Sequence, residues 1–484
     1  MQLKEIVKAA GGKALDFKNA DIKGISIDSR TIKRGELFIA IKGERFDGHD
    51  FVGEAFKKDA AAAVVQDKIR PKGVPSTSIH YTGSEGRNTT EGSEVLSEAK
   101  GTERSECAKR LIIVKDTLKA LGDVAHYHRM KFKTPVIGVT GSTGKTTVKE
   151  IISYVLGQKY NVLKNDGTRN NLIGLPLTLL NLNNKHQMSC LEMGANHLRE
   201  IKRLSEIAKP AIGVITNISV AHLEFFGSIH NVFKAKSELL NSLDGDSLAL
   251  LNKDDEFLAR AKTKCKRIYF GIDSSCEFRA THIEKKHNKI IFKVKGFHFT
   301  ITLLGRHNIY NALAGIAIGQ IFGIKLNSIS RALENFKVPF GDRLALSGNN
   351  YLSILNDTYN SNPLSFEVAL ESLMDLRSKR RKVIISADML ELGKKSKYFH
   401  ETLGKHIAQS DASILITLGP MSRYTSDSAI KNGMRGSNVS YFNNRESLFS
   451  VLPGILRKDD IVLVKGSRAM HMEEVVEKIQ NIRK

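Results

Sequence analysis

The sequence predicts an α/β protein of three domains. Three observations carry this reading. The chain has 484 residues, which at about 150 residues per domain suits three domains. Short apolar runs of strand length alternate with segments of helical period, the order expected of mostly parallel sheets. One apolar run opens into a glycine-rich turn followed directly by an amphipathic helix, the usual beginning of a nucleotide-binding domain. With 41% hydrophobic residues the chain can bury sizeable cores, which excludes a disordered or collagen-like protein.

Taken in order, the first domain is expected over residues 1–110, with strands at 25–27, 37–41 and 61–65 and a turn-rich GERFDGHDF segment between them. Within it, residues 75–106 are rich in Ser, Thr, Gly and Glu and carry almost no apolar pattern. They predict a solvated insertion, since such a segment cannot bury enough to offset its ordering entropy. A central domain is expected over 111–335. It opens with a strand at Leu111–Val114 and a helix in which Leu118, Leu121, Val124 and Ala125 share a face. The strand at 136–139 leads into the glycine-rich turn and a helix bearing Val148, Ile151, Ile152, Val155 and Leu156. Further strands are predicted at 211–218, 248–251, 267–271 and 289–295. A third α/β domain is expected over 336–484, with strands at 353–355, 382–386, 413–418 and 461–464.

Charge and cysteine usage narrow the setting. Lys and Arg number 74 against 51 Asp and Glu, a net charge of +23, which points to an anionic partner: nucleic acid, a membrane surface or a phosphorylated small molecule. No Trp is present, which weakens a base-stacking surface. Cys107, Cys190, Cys265 and Cys276 form no C-x-x-C pair, as expected of a reduced compartment rather than a zinc or disulfide framework. No apolar run reaches the roughly 18–20 residues of a membrane span, and the start lacks a secretory apolar core. A cytoplasmic protein is therefore expected, with peripheral attraction to a membrane left open by its charge.

The sharpest chemical signal is Thr140, Gly141, Ser142, Thr143, Gly144, Lys145, Thr146 and Thr147. The glycines let backbone N–H groups turn toward a phosphate, Lys145 adds positive charge, and the helix behind them presents its positive end. Thr146 stands where a hydroxyl ligand to magnesium is needed. Val139 occupies the first-glycine position of the usual spacing. The loop alone does not separate a hydrolase, a kinase, a switch and a ligase, although no N-K-x-D guanine signature accompanies it.

The segments TGSTGKTT, LEMGANHLREI, ITNISVAHLEFFGS, KAKSEL, GRHNIYNALA, NDTYNSNP and VKGSR occur in the order seen in the ATP-dependent Mur ligases of peptidoglycan synthesis, and the chain resembles that family over most of its length. GERFDGHDF, NNLIGLPLTLL, DMLELG and LVKGSRAMHME resemble its branch that adds D-alanyl-D-alanine. The resemblance implies a UDP-substrate domain, a central ATPase domain and a C-terminal Rossmann-like domain. It further implies a monomeric ligase that uses ATP and Mg2+ to join D-alanyl-D-alanine to a UDP-N-acetylmuramoyl-tripeptide through an acyl phosphate, with no nucleic acid involved.

Carried over residue by residue, the resemblance makes Lys145, Glu192, His222 and Lys236 catalytic, with Thr146, Glu192 and His222 on the metal and Lys236 as a carbamate. Asn308 and Asn311 would meet adenine, Arg343 the phosphates and Asp357 the ribose. Ser29 and Arg30, with the segment from Lys42 to His49, would hold the UDP-sugar, and Asn170 and Asn171 the muramoyl peptide. Asn360, Asn362, Asp388 and Leu392 are the candidates for D-alanyl-D-alanine. Thr168 departs from the family's GNxNN pattern. Two alternatives stand beside this reading. One is a sister ligase adding the third amino acid, although its D-N-P-R signature is replaced here by NDTYNSNP and DMLELG. The other is a basic, nucleotide-dependent nucleic-acid-binding protein.

Overall fold

The structure, a computed structural model, describes residues 1–14, 19–67, 69, 110–167, 169–220, 223–286, 289–339, 344–348, 351–376 and 380–482. The expected insertion at 75–106, His222, Arg343 and Thr168 lie outside the described residues. The chain divides into two compact units: residues 1–133 with 168–184 and 206–208, and residues 134–167 with 185–205 and 209–484.

The first unit is built on β1 (Lys13–Ala14), β2 (Ile25–Ser26), β3 (Leu37–Ile39), β4 (Ala62–Gln66) and β5 (Leu111–Val114), in the order β1-β5-β4-β3-β2. Only the β1–β5 pair is antiparallel. The expected boundary at 110 is corrected by β5, which lies inside this sheet and not in the next. Its LIIV run is almost wholly buried. The helix Thr117–Arg129 then packs Ala120, Leu121 and Val124 into the same core as Leu37, Val64 and Ile112, so the first domain runs on to residue 133.

The second unit holds two sheets. The larger comprises β6 (Val136–Thr140), β7 (Val162–Lys164), β8 (Met188–Glu192), β9 (Ile212–Ile215), β10 (Leu248–Asn252), β11 (Lys266–Gly271), β12 (Phe278–Lys286), β13 (Lys289–Val294) and β14 (Phe297–Ile301). Their order is β14-β13-β12-β11-β10-β9-β6-β8-β7. From β7 through β12 the pairing is parallel, and its central strands are continuous apolar runs because helices cover both faces. The 289–295 strand departs from the parallel expectation: β12, β13 and β14 form an antiparallel meander. Its alternating apolar and polar residues give one buried and one solvated face.

Behind this sheet, the helix Lys145–Leu156 meets the helix His307–Ile321. The second is apolar almost all round, and its small residues allow close approach. A Cβ on Gly315 would lie 2.5 Å from Ile151 Cγ2.

The third sheet contains β15 (Ala345–Gly348), β16 (Ser353–Asp357), β17 (Lys382–Ala387), β18 (Ile414–Leu418), β19 (Val439–Phe442) and β20 (Ile461–Lys465), ordered β15-β16-β20-β17-β18-β19. All but β15 are parallel. One face packs against the helices Pro363–Asp375 and Ser396–Ala408, the other against Arg445–Ile455 and Glu473–Gln480. This is a doubly wound sheet, whose ligand crevice is expected at the carboxyl ends of its strands. Among the described residues no helix is long and apolar enough to cross a membrane.

The contact at Gly315 generates a test of the packing. Gly315→Val forces bulk against a β-branched neighbour, and overpacking of this kind costs about 1–3 kcal/mol. The expected outcome is a lower thermal melting midpoint; an unchanged midpoint would show that the helix pair has slack.

Candidate active site

The site grows from strand order. Because β6 lies between β8 and β9, the carboxyl ends of all three strands converge, and each emits polar residues there. The glycine-rich loop leaves β6. Thr140 anchors it by donating from Oγ1 to Met193 O at 2.8 Å. Gly141 has φ 147°, and a Cβ on it would stand 2.0 Å from Thr216 Oγ1, so only glycine lets Thr216 close on the loop. Gly144, at φ 78°, takes the left-handed conformation beside Asn311.

The segment after β9 ties the loop down. Thr216 Oγ1 donates to Thr143 O at 2.5 Å. Asn217 Oδ1 accepts from Thr143 N at 3.1 Å, and its Nδ2 donates to the carbonyl of the same residue at 3.2 Å. Ser142 exchanges hydrogen bonds with Ser219: Oγ donates to its carbonyl at 3.0 Å and accepts from its N–H at 2.8 Å. Lys145 Nζ donates to Gly141 O at 3.0 Å and Ser142 O at 3.1 Å. The lysine thus lies along the loop whose phosphate it would meet. Thr147 follows on the helix, partly exposed.

At the helix's first turn, buried Thr146 donates from Oγ1 to Glu192 Oε2 at 2.6 Å. Glu192, at the end of β8, is itself held by Asn165, whose Oδ1 accepts from Glu192 N at 2.9 Å and whose Nδ2 donates to Glu192 O at 3.0 Å. A hydroxyl and a carboxylate converging beside a phosphate loop are hard oxygen donors. They fit magnesium, which takes one or two protein oxygens and completes its shell with water and phosphate. His222, the third expected ligand, lies outside the described residues.

Lys236 approaches from the helix Ile229–Asn241. It is 1% exposed, donates to Ala195 O at 3.4 Å and stands 5.6 Å from the centre of the Phe226 ring. Burial first, and then the nearby Lys145 ammonium, push its pKa from 10.5 to about 7; Glu200, Glu238 and Glu192 oppose the shift. Asn311 joins the loop's neighbours through Gly144, and its Nδ2 donates to Asn308 Oδ1 at 2.8 Å. Asn308 in turn donates to Leu304 O at 2.6 Å.

The remaining candidates have local partners. Asp357 pairs with the buried Lys465 at 2.6 Å, and Lys465 also donates to Asn360 O at 2.8 Å. Asn362 caps the helix Pro363–Asp375, accepting from Ser365 N at 2.8 Å. Asp388 accepts from Ser422 N at 2.7 Å and Met421 N at 3.2 Å. Leu392 lies in the core with Met389 and Leu403. In the first unit, Ser29 donates to Glu54 Oε2 at 3.0 Å. Arg30 grips Asp28 through Nε at 2.9 Å and Nη2 at 2.7 Å. Asn170 and Asn171 belong to that unit as well; Asn171 Oδ1 accepts from Ile173 N at 3.1 Å and Gly174 N at 2.8 Å, starting a short helix.

Three family models match in chain order: the Mur ligase family catalytic domain over residues 21–129, the Mur ligase middle domain over 139–319, and the Mur ligase glutamate ligase domain over 342–468. The UDP-N-acetylmuramoyl-tripeptide–D-alanyl-D-alanine ligase of Bacillus subtilis is 34% identical over 463 residues, 95% of this chain and 93% of that protein. The chain belongs to the Mur ligase family. The Escherichia coli protein of the same name is 30% identical over 483 residues, 96% of this chain and 97% of that one. A crystal structure of MurF from Acinetobacter baumannii matches with a TM-score of 0.84 at 27% identity, covering 99% and 98% of the two chains. MurF ligase from Thermotoga maritima in complex with ADP matches at 0.77 and 26%, covering 94% and 97%. Those relatives share a three-domain α/β architecture with this Mur ligase.

Sequence reasoning missed Thr216, Asn217, Asn165 and Lys149 in this Mur ligase. The first two carried a readable signal, a polar pair directly after the buried IGVI strand. Asn165 and Lys149 carried none, because the groups they hold, Glu192 for Asn165 and Asn165 for Lys149, lie 27 and 16 residues away in sequence and are brought close only by the sheet.

Lys236 sets a pH-dependent expectation. From about pH 7 to 10.5 the unfolded chain holds a proton that the folded chain lacks, so this residue makes folding more favourable as pH rises through that window. Below it, the buried ammonium is a standing cost. Lys236→Met is therefore expected to melt above the parent protein at pH 6, with the difference shrinking toward pH 10. A difference independent of pH would contradict the buried-amine account.

Proposed function

We propose that this Mur ligase uses ATP to join D-alanyl-D-alanine to UDP-N-acetylmuramoyl-tripeptide, releasing ADP and phosphate. The observation that carries the reading is the Thr146–Glu192 contact at the mouth of the phosphate loop, in a chain aligned nearly end to end with relatives that bear this activity as their name. The Bacillus subtilis and Escherichia coli relatives carry that name at 34% and 30% identity, which favours this reading over the sister activity.

The chemistry must bring a carboxylate up to a triphosphate, two anions that repel. A carboxylate oxygen attacks the γ-phosphorus and ADP leaves. The amine of the dipeptide then attacks the acyl carbon, phosphate leaves with the C–O electron pair, and the amine loses its proton. Residues Thr140–Thr147 hold the triphosphate, with Lys145 countering charge on its outer phosphates. Thr146 and Glu192, joined by His222, would hold magnesium, which supplies charge neutralisation across the two anions. Lys236, shifted to about 7, is partly neutral near pH 7, and a neutral amine can take up CO2 as a carbamate. In that form it would present anionic oxygens where an ammonium now stands.

Asn308 and Asn311 would face adenine, with Arg343 and Asp357 reaching the nucleotide from the third domain. Ser29, Arg30, Asn170 and Asn171 serve the UDP-linked peptide. Asn360 and Asp388 lie at the carboxyl-end rim of the third sheet, where the dipeptide would enter, with Asn362 and Leu392 shaping the segments around it. The reading places the enzyme in the cytoplasm as a monomer.

Two measurements test this. Purified protein should release phosphate from ATP only when UDP-N-acetylmuramoyl-tripeptide and D-alanyl-D-alanine are both supplied; release that ignores either substrate refutes the assignment. Lys145→Ala should lower turnover by about 100–1000-fold or more, as expected when a preorganised charge is removed from a reacting phosphate. Its circular dichroism and melting should stay those of the parent, and a variant of undiminished activity would sink the phosphate-loop role.

A further inference from the structure

A second chain of contacts runs behind the phosphate loop, and the mechanism above does not use it. Lys149 lies three residues beyond Thr146 on the same helix, one turn deeper, and is wholly buried. Its Nζ donates to Asn165 O at 2.5 Å and pairs with Glu150 at 2.7 Å. The other oxygen of the Glu150 carboxylate pairs with Lys164 at 2.5 Å. Asn165 is 1% exposed and immediately follows β7.

The β7–β8 ladder ends at the Lys164–Cys190 pair. Beyond it the Asn165 side chain takes over, giving one acceptor and one donor to the N–H and C=O of Glu192. An amide side chain thus extends the sheet by one residue at the point where the backbone of β7 turns away. From the other side, Glu192 is registered against Val139 of β6. Its carboxylate then meets Thr146. The helix therefore contacts this corner twice: through Thr146 on the carboxylate itself, and through Lys149 on the residue that holds its backbone.

Stability alone gives little reason for such an arrangement. A buried lysine with its counter-charges is commonly no better than a well-packed apolar side chain of similar size. What the network does supply is a fixed main-chain position for Asn165, and so for Glu192.

We propose that Asn165, held in place by Lys149, is a positioning residue for phosphate transfer: it orients the Glu192 carboxylate toward the Thr146 hydroxyl so that the pair can take a divalent cation together with the nucleotide. The role rests on the reading of Thr146 and Glu192 as the magnesium pair. Its effect should appear in magnesium-linked nucleotide binding, before any chemistry.

The test is calorimetric titration of ADP into the full-length protein, with and without Mg2+, for the parent, Lys149→Met, Asn165→Leu and the double variant. Methionine keeps the lysine stem's volume, and leucine that of the amide. Each single variant should lose about 10–100-fold of the magnesium-dependent tightening, the range found when a residue orienting a metal ligand is removed. Affinity without Mg2+ should hold. The double variant should lose no more than Asn165→Leu alone, because Lys149 acts through Asn165. In turnover, the magnesium concentration for half-maximal rate should rise while KM for D-alanyl-D-alanine stays constant.

Circular dichroism and melting report each variant's fold, and Asn165→Ser, which adds no bulk, reads the same quantity if Asn165→Leu does not fold. Folded variants with the parent's magnesium response overturn the positioning role, as does an equal loss of affinity with and without Mg2+. A parent protein whose ADP binding ignores magnesium overturns the underlying magnesium pair, and with it this role.

Discussion

One hydrogen bond, from Thr146 Oγ1 to Glu192 Oε2 at 2.6 Å, ties the first turn of the helix behind the phosphate loop to the end of the neighbouring strand. Thr146 belongs to the turn of helix behind β6, and Glu192 to the end of β8. For the two to meet, β6 and β8 must be adjacent and parallel, with their carboxyl ends level. The register Val139 to Glu192 satisfies this. The loop must also fold tightly enough to start the helix at Lys145, and this depends on Gly141 leaving room for Thr216. Strand order, loop conformation and the candidate metal pair are thus one constraint seen at three scales.

The second unit places charge where burial makes it expensive, and does so near strand ends. Lys149, Glu150 and Lys236 lie beneath the phosphate loop, and Lys465 sits at the end of β20 with Asp357. Most of these find an opposite charge at hydrogen-bonding distance. Lys236 differs: a carbonyl at 3.4 Å and an aromatic ring are poor substitutes for a carboxylate. Its ammonium is correspondingly destabilised. Elements around the second and third sheets also meet, Glu224 N donating to Glu391 O at 3.0 Å and Lys285 of β12 pairing with Asp375 at the end of the helix Pro363–Asp375 at 2.6 Å. The short helix Leu223–Phe226 and the DMLELG segment therefore touch through main-chain atoms.

Where sequence reasoning stopped is instructive residue by residue. A glycine-rich turn between a strand and a helix stands out against its surroundings, so the loop could be picked from the chain alone, whereas Glu192 came from the family resemblance. Asparagines could not be sorted. Asn171 and Asn362 cap helix starts, a role for which the same residue type is favoured with or without a ligand nearby. Leu392 is an apolar residue beside a functional segment, and its membership of the core depends on the helix Ser396–Ala408 folding over it. The run Leu111–Val114 reads as a strand, but nothing local says to which sheet a strand adds. A surface helix usually exposes its lysines, so Lys149 looked unremarkable.

By itself the sequence determined the α/β class, the strand–loop–helix of a phosphate-loop pattern, and a family resemblance spread along nearly the whole length. These are local or order-dependent properties, encoded by periodicity, by glycine and by motifs in succession. Tertiary structure alone decided that β5 completes the first sheet, that β12–β14 turn antiparallel, and that Asn165 and Lys149 stand behind Glu192. The reason is physical for β5 and the Asn165 corner: Leu111 pairs with Ala63, Asn165 with Glu192 at a separation of 27 residues and Lys149 with Asn165 at 16. Closing such distances is settled by the packing of the whole unit, and no local pattern records it.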